Sequence, residues 1–155
     1  MKISFLKTII FNFYYLPINQ AIKFPIIIYS RFNIVKLSGK VSIINQNIKT
    51  GMIKLGLNIV SLYDSRDFSF NWENSGNILF YGTANIGNNS SISVGKSGNI
   101  SFGNNFGATA NFRIVSHNSI TIGENCRFSW ENIVTDSDFH TIYQKNNKKL
   151  DSKKI

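Results

Sequence analysis

Apolar residues return every six positions through the middle of this chain, and that spacing limits the available folds more than any other feature. Quoted in sixes, the sequence runs "FYGTAN", "IGNNSS", "ISVGKS", then after a short excursion "FGNNFG", "ATANFR", "IVSHNS", and after Ile120 and Thr121 "IGENCR", "FSWENI", "VTDSDF". The first residue of each six is apolar or small, and glycine often follows it. Such periodicity is the signature of a repeat architecture. An aliphatic residue at position one, a small one at two and a small or apolar one at five suit a left-handed parallel β-helix. In that fold three short strands make a triangular coil, position one points inward on each face, and small residues turn the corners. Phe80 to Phe102 spans 22 residues and Phe102 to Ile122 spans 20, so a coil is three hexapeptides with small corner insertions. Asparagine and glycine at "GNN", "GNN" and "GEN" tolerate the left-handed backbone conformations found at corners. The competing reading is an antiparallel β-sandwich with Asn/Gly hairpins.

The fold class expected is therefore all-β, a left-handed parallel β-helix with an irregular N-terminal cap, in one domain. Residues 1–50 are expected to form the cap and first irregular strands, 51–140 the β-helix coils, and 141–155 a basic, poorly ordered tail. "LPINQAIKFPIIIY" reads as a short helix bounded by Pro17 and Pro25, closing the open end of the solenoid as terminal repeats must. Leu37 to Leu57 alternates and carries glycine at strand ends, as a first irregular coil would. Ser61 to Asn77 is longer and more polar, a strand-loop excursion before the regular coils.

Seventeen Lys and Arg against eight Asp and Glu give a net charge of +9. That balance draws attention to anionic partners, but between Gly76 and Phe139 three cations face four anions, and the excess lies in the flanks. Nucleic acid is not expected, since no recognition motif is present. The bland reading of the flanks is a solvated face and a frayed tail. The other is peripheral membrane contact by the basic N-terminal segment, in which each Lys near an anionic leaflet adds about 1 kcal/mol. "MKISFLKTIIFNFYYLP" makes a poor signal peptide, because Lys7 and Asn12 interrupt it and no small-residue cleavage site follows. The single Cys126 leaves no intramolecular disulfide to form. It agrees with a reducing compartment, so the expectation is a cytoplasmic protein, open to peripheral contact with the inner membrane.

The chemistry concentrates in "WENIVTDSDFHTIY", Trp130 to Tyr143. In an extended segment Asp136, Asp138 and His140 share one face. A neutral imidazole can take the proton from a weakly nucleophilic hydroxyl, and a carboxylate can orient that ring or bind sugar hydroxyls. Alternatively, the two aspartates cap a turn where the regular coil ends and His140 is a surface residue. A metal site is disfavoured, because no further His or Cys cluster accompanies the run. Trp130 suits either stacking on a sugar or filling a corner. His117 reads as a corner or surface residue, and Cys126 as a small core residue.

The segments "GMIKLG", "SFNWENSGNILFYGTANIG" and "ITIGENCRFSWENIVTDSDFHTIY" together resemble the hexapeptide-repeat acyltransferases of the bacterial polysaccharide and lipopolysaccharide branch, distant relatives of the galactoside and maltose O-acetyltransferases. The resemblance is most specific at Gly123, Cys126, Ser129, Trp130, Asp136, Asp138 and His140. It implies acetyl transfer from acetyl-CoA, as donor substrate and without a metal, to a hydroxyl or amine of a sugar or polysaccharide acceptor, in a homotrimer. By motif match His140 is the general base, with Asp138, Asp136 and Trp130 as orienting or substrate-binding groups. Members of that family continue past the histidine into coils carrying much of the acetyl-CoA site, whereas "HTIYQKNNKKLDSKKI" holds no hexapeptide. A truncated, catalytically incompetent β-helix with a structural or sugar-binding role is the alternative expectation.

Overall fold

The computed structural model describes residues 2–29, 31–59 and 69–137. Two helices come first, α1 (Phe5–Tyr15) and α2 (Ile18–Ala21), the second starting directly after Pro17. Strands β1 (Ile26–Ile28), β2 (Phe32–Lys36) and β3 (Lys40–Ile43) follow, then β4 (Ile53–Leu57), β5 (Phe70–Asn74) and β6 (Asn77–Phe80). The regular part holds β7 (Ala84–Gly87), β8 (Ser91–Val94), β9 (Asn99–Phe102), β10 (Phe106–Ala110), β11 (Arg113–Ser116) and β12 (Ile120–Ile122). The last described strands are β13 (Arg127–Trp130) and β14 (Ile133–Thr135).

These strands fill three sheets in strict rotation. One sheet runs β1-β4-β7-β10-β13, another β2-β5-β8-β11-β14, and a third β3-β6-β9-β12. All pairings between these strands are parallel, which sets aside the antiparallel sandwich. Every third strand returning to the same sheet is an arrangement compatible with a parallel β-helix. The rotation already begins at β1, so the irregular N-terminal strands join the same three sheets as the regular ones.

The six-residue rhythm is the stacking register. Ile86 pairs with Ala108 and Ala108 with Phe128; Ile92 pairs with Ile114 and Ile114 with Val134; Phe80 pairs with Phe102 and Phe102 with Ile122. Seven of these nine first positions are buried, and Phe128 and Val134, in the last described strands, pack partly buried against the core. Along β5, β8, β9 and β10 buried and less buried residues alternate, because successive side chains leave a strand on opposite faces. Aromatic rings stack up the interior, Phe32 on Phe70 at 4.8 Å and Phe80 on Phe102 at 5.1 Å between centroids.

Corners follow from the residues placed there. Asn89, Asn111 and Glu131 turn the chain from the first sheet to the second with φ of 56°, 50° and 60°, and Asn105 and Asn125 lead into β10 and β13 with φ of 59° and 58°. Asparagine is among the few non-glycine residues that enter this region readily. Between the second and third sheets the demand is space: a Cβ on Gly76 would lie 2.2 Å from the Gly98 carbonyl oxygen, and one on Gly98 2.2 Å from that of Ser116.

Helix α1 closes the β1 end. It buries Thr8, Phe11 and Asn12, and Tyr15 is partly buried beside them, so the contacting face follows the i, i+3, i+4, i+7 spacing of one helix stripe. Phe11 packs edge-on to Trp72 at 4.8 Å, and the Trp72 Nε1 donates to the Tyr15 hydroxyl at 3.0 Å. Asn12 takes the place of a missing neighbouring strand: its Nδ2 donates to the Ile26 carbonyl at 2.7 Å, and its Oδ1 accepts the Ile26 N–H at 3.1 Å. The Thr8 hydroxyl accepts the Ile28 N–H at 3.0 Å. An open strand edge invites pairing with another chain, and these two polar side chains close this one. Among the described residues no helix is long and apolar enough to cross a membrane.

Candidate functional site

The described part of the run flagged from sequence, residues 130–137, ends β13, forms β14 and reaches the corner between the second and third sheets. Up to that corner the backbone ladder is regular: the Gly39 N–H donates to the Asn74 carbonyl, Ser75 to Val94, and Gly95 to Ser116. One coil further on, the His117 N–H donates to the carboxylate Oδ1 of Asp136 at 2.8 Å instead. Asp136 Oδ2 accepts the Ser116 hydroxyl at 2.7 Å and the Asn118 N–H at 2.9 Å.

Burial alone pushes the Asp136 carboxyl up. The His117 amide, the Ser116 hydroxyl and the amides of Asn118 and Ser119 outweigh it and hold the group below its ordinary value of 3.8. Hydrogen bonds donated to a carboxylate favour its charged form. Asp136 is therefore ionised at neutral pH and engaged with residues 116–119, the corner one coil before it. Asp138 and His140, the candidate orienting carboxylate and base, lie outside the described residues.

Trp130 closes β13. Its register partner is the fully buried Ala110, yet Trp130 itself is 48% exposed. Glu131 follows it in the left-handed region and turns the chain into β14. Half-exposed and directly before the Glu131 turn, Trp130 fits stacking on a sugar and filling the corner equally well. His117 is exposed at the corner, its ring against Gly95, where a Cβ would meet Nδ1 at 2.8 Å. Cys126 is partly buried against the core, and its carbonyl accepts the Gly107 N–H. Among the described residues no three His, Cys, Asp or Glu side chains converge in a way that could hold a metal ion.

Ser116 did not stand out in the sequence, although it is the side chain that meets Asp136. The available signal was the coil period: Ser116 lies one coil before Asp136, at the end of the strand that stacks on β14. On the neighbouring corner Arg127 makes a second polar fastening, its guanidinium donating to the Asn105 carbonyl and, at 2.6 Å, to Asn105 Oδ1.

Comparison with protein-family models, with curated proteins and with solved structures returns no match.

Proposed function

We propose that this chain is a left-handed parallel β-helix of the hexapeptide acyltransferase kind, transferring an acetyl group from acetyl-CoA to a sugar hydroxyl or amine in cell-surface polysaccharide synthesis. The observation that carries the reading is the register: nine hexapeptide first positions stack in three columns, one on each face of the coil. The four-residue strands and asparagine-turned corners favour the same architecture. "DSDFH" begins two residues after Val134, the last of these first positions.

In this reading the His140 imidazole accepts the acceptor's proton as its oxygen attacks the thioester carbonyl. The tetrahedral intermediate then expels the CoA thiolate, which recovers that proton from the imidazolium. A positioned base is worth about 10²- to 10⁴-fold. Asp138 is the carboxylate left to orient the ring, because the Asp136 oxygens are already engaged by three donors. Trp130 stands at the acceptor side. The working form is a homotrimer on the cytoplasmic side of the membrane.

The engagement of Asp136 also supports a second reading, a β-helix that keeps an acceptor-side wall without turnover. Two measurements separate them. Titration with acetyl-CoA is expected to give binding in the micromolar range, and His140→Ala to abolish transfer to a saccharide acceptor while the circular dichroism is unchanged. A folded chain that does not bind acetyl-CoA leaves the non-catalytic reading, and unchanged turnover in the variant removes His140 from the base role.

A further inference from the structure

Helix α1 buries Phe11 but otherwise distributes its residues unlike an ordinary surface helix. Its polar residues Thr8 and Asn12 are buried against β1, while Phe5, Leu6, Ile9, Ile10, Phe13 and Tyr14 are exposed, Phe5 by 75% and Leu6 by 70%. Ile18, the first residue of α2, and Ile22, directly after it, add exposed apolar side chains at 65% and 58%. A helix on a protein surface normally turns its polar stripe outward. Contiguous apolar patches on protein surfaces mark places where something else docks.

The charge around this face selects the partner. Lys2 precedes the helix, Lys23 follows Ile22, and both are exposed. Lys49 is exposed beside Thr50, whose hydroxyl donates to the Lys23 carbonyl at 2.8 Å. No acidic residue precedes Asp64 in the sequence, whereas eight Lys and Arg do. A second copy docking face to face would set these cations against themselves with no carboxylate in the cap to answer them. An anionic lipid surface answers both halves of the patch, its headgroups pairing with the lysines and its acyl boundary receiving the aromatic and aliphatic side chains. Eleven residues make a helix about 16 Å long, roughly half of a bilayer's hydrocarbon thickness of about 30 Å. The helix fits in the interface plane and does not cross it.

We infer that the outer face of α1, with the start of α2 and Lys2, Lys23 and Lys49, is a membrane-surface site for anionic phospholipid that holds the β-helix against a leaflet by its capped end. This inference stands independently of the acyltransferase reading, because none of these residues belongs to the region from Trp130 to His140.

The test is co-sedimentation of the full chain with phosphatidylglycerol-containing vesicles and with phosphatidylcholine vesicles, at low and high salt, alongside the double variants F5S/L6S and K2E/K23E. The expected result is binding to the anionic vesicles that weakens as salt screens the lysines, with each double variant losing at least tenfold in bound fraction. Because these side chains are exposed, the thermal midpoint of each variant should match the parent, which separates lost docking from lost fold. Three results would overturn the proposal. One is no sedimentation with anionic vesicles; another is equal binding by F5S/L6S and the parent. The third is a parent oligomer that F5S/L6S dissociates, which would mean a second copy covers the face.

Discussion

Asp136 does with a side chain what a backbone carbonyl does in the coils before it. Gly39, Ser75 and Gly95 each give their N–H to a carbonyl of the next coil, and His117 gives its N–H to a carboxylate. The hexapeptide count turns Val134 inward as a first position, but it says nothing of where a polar side chain two residues later, past the end of β14, is directed. Val134 packs against the core, and Asp136 is turned back toward Ser116 and the corner. The depressed pKa fixes the sign of its pH dependence. The carboxylate is favoured in the folded state, so its contribution is complete above the ordinary carboxyl value near 3.8 and is lost as pH falls through the lower folded value. Hydrogen bonds to a charged group are worth about 1.5–3 kcal/mol. Allowing for solvent screening at a partly exposed corner leaves about 1 kcal/mol. Asp136→Asn should therefore lower the melting temperature by about 2–4 °C at pH 7, and the gap should close as the pH drops below 3.8. Thermal melts of both proteins across pH 3–7 check this; a gap independent of pH would show that the neutral amide fails for steric reasons instead.

At the scale of the element, the N-terminal helix shows what sequence reading could and could not reach. Pro17 and Pro25 do bracket a short helix, but it is the four-residue α2, and the β1 edge it was expected to close is closed by α1. The longer helix before it was hidden, since Lys7 and Asn12 read as interruptions in an apolar run. Only the strand edge they meet gives them meaning: Asn12 serves both polar groups of Ile26, and Lys7 donates its ammonium to the Phe32 carbonyl. The first strands were equally hard to place. "III" and "FNIVK" carry no corner glycine, and β2 and β4 each shift register part-way along, which breaks the count of six. Asn12→Ala would strand a buried donor and acceptor on Ile26, each costing about 1–3 kcal/mol. The expected loss is about 3 kcal/mol, or roughly 6–12 °C in melting temperature for a chain of this size. Asn12→Asp keeps the acceptor but loses the donor, so it should remain well below the parent at neutral pH. Thermal unfolding by circular dichroism ranks the three, and an alanine variant as stable as the parent would mean that water closes the β1 edge.

For the whole molecule the legible part was the part governed by one local rule. From Phe80 onward each six contributes one inward residue to one sheet, so counting was enough to place Ile86 over Ala108 and Ile92 over Ile114. Nothing in that count predicts the nine residues, 44–52, that separate β3 from β4, because a connection outside the stack is free to vary in length while the stack is not. In a structure of this kind each coil touches only its neighbours, and stability is close to a sum of coil and interface contributions. Position along the stack should then decide the cost of a core deletion more than residue type does. Phe102 is fully buried, stacked on Phe80 and 4.8 Å from Phe106. Phe128 is a phenylalanine in an equivalent hexapeptide position but only partly buried in the last described strand of its sheet. Phe102→Ala should cost about 3–5 kcal/mol, a large share of a typical total stability of about 5–15 kcal/mol, and should move the urea midpoint of the whole domain. Phe128→Ala should cost less than half as much. Its effect should appear as faster amide exchange confined to β13 and β14, with β8 and β9 keeping their protection. Equal midpoint shifts and uniform exchange in both variants would show instead that the coils unfold as one inseparable unit and that the stack has no weak end.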